Sequence, residues 1–459
     1  MTKYILTAFL LFTASTAFSQ VTTPLSLGEG AGMRLYTLEQ LKDSARHNNI
    51  TLRNAQRSVA SATQQRKEAF TKYFPNISGT GFWFNANKGM ARMDVNPSQM
   101  IPAEVGTAMA QQFPAEALAA LQSPISMSML KNGTVAGVNA VQPVFAGGQI
   151  VNGNRLARVG EEVARLQLEL SDNEVERQTE QYYWQLVSLQ EKMKTVAAVD
   201  TLLGDIYKDV DVAVRAGVAM RNDLLQVQLR RNDIESQRIK LQNGISIVRL
   251  LLAQYCGLEN ADFTLLTDTQ ALPPIVQQQD HGQALLSTPE YQLLGKQVEA
   301  AKLQKSLAVG QQLPTVAVGA GYNYHDLLDN NRTFGMIFAT ISVPISDWWG
   351  GSHAIKRKKI EYQKAIDEQH DKAQLLQIRM QNAYNNVVEA QQQLTIAQRS
   401  IEQSEENLRL HRNFYKAGTT KMSDLLEAQL LYQLSLDRRT DAYADLQNKI
   451  LEYRQATGQ

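Results

Sequence analysis

The sequence of 459 residues has little cysteine, few aromatic residues and no long apolar run in its body. Its only cysteine is Cys256, so no internal disulfide framework stabilises the fold. Beyond the N-terminus, no segment reaches the ~18 apolar residues that a membrane-spanning helix requires. Basic and acidic residues number 46 and 45, a balance that does not favour nucleic acid as a partner. Stability is therefore expected to come from packing and assembly.

Residue combinations typical of catalysis are also missing. The six histidines are scattered without metal-ligand spacing. The chain has no nucleophile elbow, no phosphate-binding loop and no Cys-x-x-Cys pair. We therefore expect no enzyme activity, no catalytic residue, no metal site and no cofactor.

The N-terminus has the pattern of an export signal. Lys3 precedes a short apolar stretch at residues 4–12, and Ala17 and Ser19 supply small residues for cleavage. This pattern predicts a secretory signal peptide over residues 1–19, followed by an N-terminal linker over 20–34. No cysteine stands at the cleavage point to carry a lipid. The mature chain is expected to be exported without a helical membrane anchor.

Two similar stretches stand 201 residues apart. RAGVAMRNDLLQVQLR occupies residues 215–230, and YKAGTTKMSDLLEAQLL occupies residues 415–431. The same offset places Pro143 on Pro344 and Gly257 on Gly458. A fixed offset over this length indicates an internal duplication.

The duplication has one insertion. Upstream of the shared stretch, Pro75 matches Pro314 with an offset of 239, so the first half carries 38 additional residues (239 minus 201). The pattern predicts a first repeat over 35–270 with a loop insertion at 88–131. A linker over 271–283 then leads to a second repeat over 284–459.

Each repeat contains long helical segments. Proline is absent from 35–72 and from 148–214, and apolar residues recur there at helical spacing. Steps of three and four over 387–415 form a heptad seam, which recurs 201 residues earlier. A helix over 148–214 would be roughly 100 Å long, so we expect it to pack against other long helices. Gly217 and Gly418 are predicted to form the hairpin-tip turns, because glycine readily adopts the left-handed turn that ends a helix.

Four shorter segments have the alternation and composition of strands. They are ISGTGFWFN, TVAGVNAVQPVF, TVAVGAGYNYH and FGMIFATISVPIS. Each has about ten residues, the length of a membrane-spanning strand. Four strands cannot close a barrel, and lipid does not tolerate an open edge, so a barrel needs at least two copies. A small soluble sheet with aromatic core residues is the alternative, and periodicity does not separate the two.

The order and duplication of these features resemble the TolC-like outer-membrane efflux protein family over residues 35–458. Its local motifs are Phe74-Pro75, Leu313-Pro314, PVFAGG (143–148), PISDWWGG (344–351) and the two GxxxxxDLL tips. The resemblance implies a mainly α fold with a β membrane portion. Duplicated helix-strand-strand-helix halves would form a trimeric 12-stranded β-barrel continued by a long coiled-coil α-barrel.

The resemblance also implies a function. The protein would be the outer-membrane exit duct of a tripartite efflux or type I secretion system, with a periplasmic extension and iris-like opening of the helix tips. Its partners would be a homotrimer, a periplasmic adaptor (membrane fusion) protein, an inner-membrane transporter of RND or ABC type, and outer-membrane lipid. The alternative is a periplasmic or surface coiled-coil scaffold or adaptor without a pore. Such a scaffold would not need two β-hairpins of membrane length.

A gate at the hairpin tips follows from the same resemblance. Asp424 resembles the carboxylate ring nearest the entrance turn, and Glu427 a second acidic ring one helical turn further on. Tyr415 resembles a gate tyrosine of the second hairpin, and Asp223 its acidic partner on the first. Repetition of Asp424 and Glu427 in a trimer would attract cations into a narrow neck.

The chain departs from the family's pattern at one gate position. Thr420 stands where the prototype has an arginine, and the neighbouring Lys421 is the candidate replacement, although lysine lacks the bidentate fork. Simpler roles stay open. Asp223 and Asp424 have the position of helix caps, worth about 1 kcal/mol each. Tyr415 continues the heptad seam and would pack there.

The insertion has four prolines and six of the chain's 13 methionines. In a barrel it would lie at the extracellular mouth. Thioethers can bind Cu(I), but the insertion lacks histidine and cysteine, which favours an adaptable loop in which methionine fills gaps. The KRKK run at 356–359, just after the fourth strand, is predicted to form a solvated basic collar near the membrane surface.

Overall fold

The computed structural model describes residues 34–102, 105, 125–267, 273, 275–327 and 330–459. The predicted signal peptide and the predicted linker up to residue 33 lie outside the described residues. Residues 103, 104 and 106–124 of the insertion lie outside them as well, as do residues 271 and 272 at the start of the predicted linker between the repeats.

Two helices, two long strands and two long helices follow one another twice along the chain. The elements are β1 (Arg34–Tyr36), α1 (Leu38–Asn48), α2 (Ile50–Thr71), β2 (Asn76–Asn85), β3 (Ala91–Val95), β4 (Ile125–Met129), β5 (Asn132–Ala146), α3 (Gln149–Arg215), α4 (Arg221–Cys256), β6 (Phe263–Leu265), α5 (His281–Ser287), α6 (Pro289–Gly310), β7 (Thr315–Leu327), β8 (Asn330–Ser342), α7 (Asp347–Lys416) and α8 (Met422–Ala456). The first set also includes the short strands β1, β3, β4 and β6. The duplicated helix-strand-strand-helix order predicted from the sequence is therefore present.

Two very long helices dominate the molecule. α3 has 67 residues and α7 has 70, so each extends about 100 Å at 1.5 Å per residue. α4 returns along α3 and α8 returns along α7, which gives two long hairpins, and α8 also packs on α3. Among the helices of the described ranges, none is both long and apolar enough to cross a membrane.

The heptad seam predicted for α7 faces the packed interior. Val387, Ala390 and Leu408 are each less than a tenth exposed. Near the tips, Leu408 joins a core cluster with Leu203 of α3 and Leu425 of α8. Burying each such leucine side chain contributes about 1.5–3 kcal/mol. Near the tips, the two hairpins therefore share a core cluster.

The first helical segment differs from the prediction of a helix over 35–72. Residues 34–36 form β1, which pairs in parallel with β6, and the helix breaks at Asn49. The Asn49 side chain accepts a hydrogen bond from the Thr51 amide (2.8 Å) and donates one to the Tyr255 carbonyl (3.0 Å). A cap that depends on a contact with α4 cannot be recognised from periodicity.

Four strands form one antiparallel sheet in the order β2-β5-β7-β8. β2 pairs with β5 and β7 with β8, as predicted, and the β5–β7 pairing joins the two repeats. The strands have 10, 15, 13 and 13 residues. The first three are longer than the predicted segments, and β8 has the length of its segment but begins and ends four residues earlier. β2 and β8 are the two edges of this sheet in the described chain.

The two faces of this sheet differ in chemistry, because successive side chains of a strand point to opposite faces. One face, here called the apolar face, contains the opposed rows Ile77–Ala140–Ala320–Ile337 and Gly79–Val138–Tyr322–Gly335. The other, called the mixed face, contains the rows Ser78–Asn139–Gly321–Met336 and Thr80–Gly137–Asn323–Phe334. In these central rows, side-chain amides and aliphatic hydroxyls stand only on the mixed face, and the phenol of Tyr322 is the one polar group of the apolar face.

Candidate gate at the hairpin tips

The free ends of the two helical hairpins lie side by side and enclose a cleft of about 800 Å³. Its walls come from both hairpins and include apolar side chains such as Val210. The first hairpin contributes the carboxylates of Asp209 and Asp223, and the second contributes the cations of Arg412 and Lys416. The cleft is therefore lined by acidic side chains from the first hairpin and basic side chains from the second.

The two tip turns have the same geometry. Gly217 and Gly418 follow the ends of α3 and α7 with φ of +75° and +70°. In the first turn the amide of Val218 donates to the carbonyl of Ala213 at 2.9 Å. In the second, the amide of Thr419 donates to the carbonyl of Phe414 at 2.9 Å. This six-to-one hydrogen bond closes a helix only when the residue before the donor is left-handed, so glycine is favoured at both positions.

An aspartate caps the start of each returning helix. Oδ2 of Asp223 accepts from the Met220 amide, and Oδ2 of Asp424 accepts from the Lys421 amide, both at 3.4 Å. Asp424 is held further by the Thr420 hydroxyl at 2.8 Å. That hydrogen bond is the largest cause of the lowered pKa of Asp424, so the carboxylate stays ionised near neutral pH.

Thr420 therefore has a local partner. Where the resemblance implies an arginine that reaches across hairpins, the Thr420 hydroxyl binds Asp424 within its own tip. Lys421, the candidate replacement, is exposed at the start of α8. Lys421 also does not line the cleft between the hairpins in the single chain.

Tyr415 and Asp223 line the same cleft from opposite hairpins. Burial raises the pKa of the half-buried Tyr415 hydroxyl, and the negative charge of Asp223 raises it further. The structure thus brings these two predicted gate residues together. Asp424 and Glu427 lie on α8 outside the cleft, with Glu427 exposed to solvent.

A polar network that the sequence analysis missed connects the hairpins just behind the tips. Arg230 of α4 donates through Nε to Gln429 (3.0 Å) and through Nη2 to Gln433 (2.9 Å) of α8. Gln433 donates in turn to Gln237 of α4 at 2.8 Å. Gln429 and Gln433 are 0% and 3% exposed. We call these four residues the amide ladder.

One signal for this ladder exists in the sequence. Leu425, Gln429 and Gln433 follow at steps of four, so two glutamines occupy a stripe that begins with a core leucine. Polar residues in such a stripe must find buried partners. Their partner Arg230 comes from the other repeat, and spacing within one helix does not identify it.

Acidic, histidine and cysteine side chains form no metal-binding group in the described part of the chain. No cluster of three or more such residues has an arrangement that could hold an ion there. The tips instead combine two glycine turns, two aspartate caps and a cleft between two long hairpins.

One family model matches part of this chain, and several solved structures match its fold. A family model described as outer membrane efflux protein matches residues 282–459. No curated protein matches the chain in sequence.

Several solved structures share the fold over nearly the whole chain. The outer membrane protein VceC from Vibrio cholerae has a TM-score of 0.71 at 15% identity, over 92% of this chain and 96% of VceC. The CmeC outer membrane channel of Campylobacter jejuni has a TM-score of 0.72 at 15% identity, over 92% and 85%. The MtrE outer membrane channel of Neisseria gonorrhoeae has a TM-score of 0.72 at 14% identity, over 92% and 88%.

Proposed function

We propose that this chain, whose second half matches the outer membrane efflux proteins and whose fold is that of outer-membrane channels, is the exit duct of a tripartite efflux or type I secretion system. The resemblance to the TolC-like family predicted from the sequence is confirmed by these matches. The duct conducts substrates passively from an inner-membrane transporter, through a periplasmic adaptor, across the periplasm and outer membrane. It is a transport protein and not an enzyme.

The two-faced sheet is the observation that carries this proposal. The apolar face is suited to lipid, and the mixed face, with its amides and hydroxyls, is suited to a water-filled lumen. The open edges β2 and β8 would pair with further copies, because lipid does not tolerate unpaired strand edges. Three copies supply twelve strands. A soluble coiled-coil scaffold would not need this separation of faces.

The proposal predicts heat-resistant trimers in the outer-membrane fraction of cells that express the full chain. The purified protein is expected to give stepwise conductance in planar lipid bilayers, because three sheets close a pore. Mass photometry and single-channel recording measure both properties. A soluble monomer without conductance would contradict the proposal.

The predicted acidic gate gives a second test. Replacing Asp424 and Glu427 together with alanine is expected to lower cation selectivity and to weaken block by multivalent cations, because two carboxylates per copy leave the entrance. Reversal potentials across a salt gradient measure the selectivity. Asp223→Ala provides the matched control, since it removes the corresponding cap from the first hairpin only. Equal selectivity in the wild type and the double variant would show that the constriction lies elsewhere.

A further inference from the structure

Basic residues are concentrated where the helices meet the sheet. The adjoining helix ends are residues 61–72, 147–158, 301–312 and 347–359. They contain eleven of the chain's 46 basic residues but only two of its 45 acidic residues, Glu68 and Asp347. The rest of the chain therefore has 35 basic and 43 acidic residues (46 minus 11, and 45 minus 2). We extend the name basic collar from residues 356–359 to all eleven of these cations.

Most of the collar has no acidic partner. Within the described residues, seven of the eleven side chains make no ion pair shorter than 4.0 Å. They are Lys67, Lys72, Arg155, Lys302, Lys305, Lys356 and Lys359. All of these except Lys305 are exposed. Lys305 lies over the ring of Tyr362, 5.2 Å from its centre.

Exposed aromatic side chains stand between the collar and the sheet. The ring centre of Phe70 lies 5.6 Å from that of Tyr73 and 5.6 Å from that of Phe74, and the three residues are 55%, 40% and 55% exposed in chain order. Trp349, at the start of α7, is 82% exposed. Exposed aromatic rings followed by lysines are typical of the boundary between the acyl chains and the headgroups of a bilayer.

The spacing of the collar fits a headgroup layer. Lys72 directly follows α2 and lies two residues from Phe74. Lys356 and Lys359 lie nine and twelve residues into α7, about 14–18 Å along the helix. Electrostatic attraction to an anionic surface extends about 8–10 Å at ordinary salt, and lysine side chains add to this reach.

We propose that the basic collar binds the anionic headgroups of phospholipids in the leaflet from which the helices emerge, with phosphatidylglycerol as the model ligand. This inference rests on the proposed function, because the apolar face must lie in a bilayer. The headgroup phosphodiester supplies the negative charge, and the adjoining rings insert beside the acyl chains. The collar would thereby fix the depth of the duct in the membrane.

Quenching of tryptophan fluorescence by brominated lipid tests the proposal on the full chain. Trp348 and Trp349 adjoin the collar, so brominated phosphatidylglycerol is expected to quench more strongly than brominated phosphatidylcholine at equal mole fraction. We expect a preference of about fivefold or more, since each basic residue near an anionic surface contributes roughly that factor. The preference is expected to fall when the salt concentration is raised to about 0.5 M, because the electrostatic screening length is then only a few ångströms.

Two variants isolate the collar. Lys67, Lys72, Lys356 and Lys359 are replaced with glutamine in one, and the preference is expected to fall close to one. In the matched control, four exposed lysines of the hairpins are replaced with glutamine, and the preference is expected to persist. The control positions are Lys194, Lys208, Lys240 and Lys372.

The outcomes separate the collar from the duct. Conductance recorded with the same preparations reports on the proposed function. A conducting wild type without preference for phosphatidylglycerol, or equal preferences in the two variants, would overturn the collar proposal alone. Loss of the preference in a few millimolar inorganic phosphate would also overturn it, because free phosphate would then be the ligand.

Discussion

Replacing Ile337 with arginine is expected to prevent assembly in membranes. Ile337 lies near the middle of β8 on the apolar face and is 90% exposed in the single chain. An arginine on the lipid face near the bilayer midplane costs about 2–4 kcal/mol per copy. A trimer would incur that cost three times. Folding into phosphatidylcholine vesicles, followed by urea titration and gel analysis of heat-resistant trimers, measures the effect.

Two positions on the other face of β8 are the matched controls. Phe338 and Thr340 lie one and three residues further along the same strand, on the mixed face. Arginine at Thr340 is expected to leave assembly intact, because the side chain would extend into water. Arginine at Phe338 is expected to reduce assembly modestly, because the substitution removes the ring that packs over Gly319. Equal damage from arginine at Ile337 and at Thr340 would show that the two faces are not lipid and lumen.

Replacing Arg230 with methionine is expected to loosen the two hairpins from each other. The substitution keeps an unbranched apolar stem but leaves the buried side-chain oxygens of Gln429 and Gln433 without their arginine donor. A buried polar group that loses its partner costs about 1–3 kcal/mol. The ladder begins about 14 Å behind the first residue of α4, so its loss acts close to the entrance.

The measurement combines stability with gating. Thermal unfolding in detergent is expected to begin at lower temperature in Arg230→Met, and single-channel recording is expected to show larger or more frequent openings. Arg231→Met is the matched control, because Arg231 is the next residue, is more exposed and contacts Asp200 at only 3.7 Å. If both variants behave alike, the amide ladder does not hold the hairpins together.

The long helices and their tips could be predicted because their signals are local. A heptad seam, an absence of proline and a glycine in the turn each depend on neighbouring residues, and α3 (Gln149–Arg215) begins and ends within one or two residues of the predicted 148–214. The break at Asn49 and the strand β1 could not be predicted in this way. Both depend on partners more than 200 residues away, at Tyr255 and β6.

The faces of the sheet needed the structure for a similar reason. Alternation in β8 is visible in the sequence, but it does not say which residues of β5 and β7 stand opposite. The register of β5 against β7 shifts between Pro143 and Phe145, so counting from the end of β5 would exchange its two faces. The amide ladder likewise joins repeats whose mutual packing has no local signal.

The length of the two hairpins gives the molecule mechanical leverage. The repeats are joined firmly at the sheet by the β5–β7 pairing, while the tips lie at the far end of helices about 100 Å long. A tilt of about 5° near the sheet displaces the end of such a helix by about 9 Å, more than its helical pitch. A small rotation, spread over many residues with little strain at any one, is therefore enough to part Tyr415 from Asp223. A gate of the proposed kind would therefore open widely while each residue of the helices deforms only slightly.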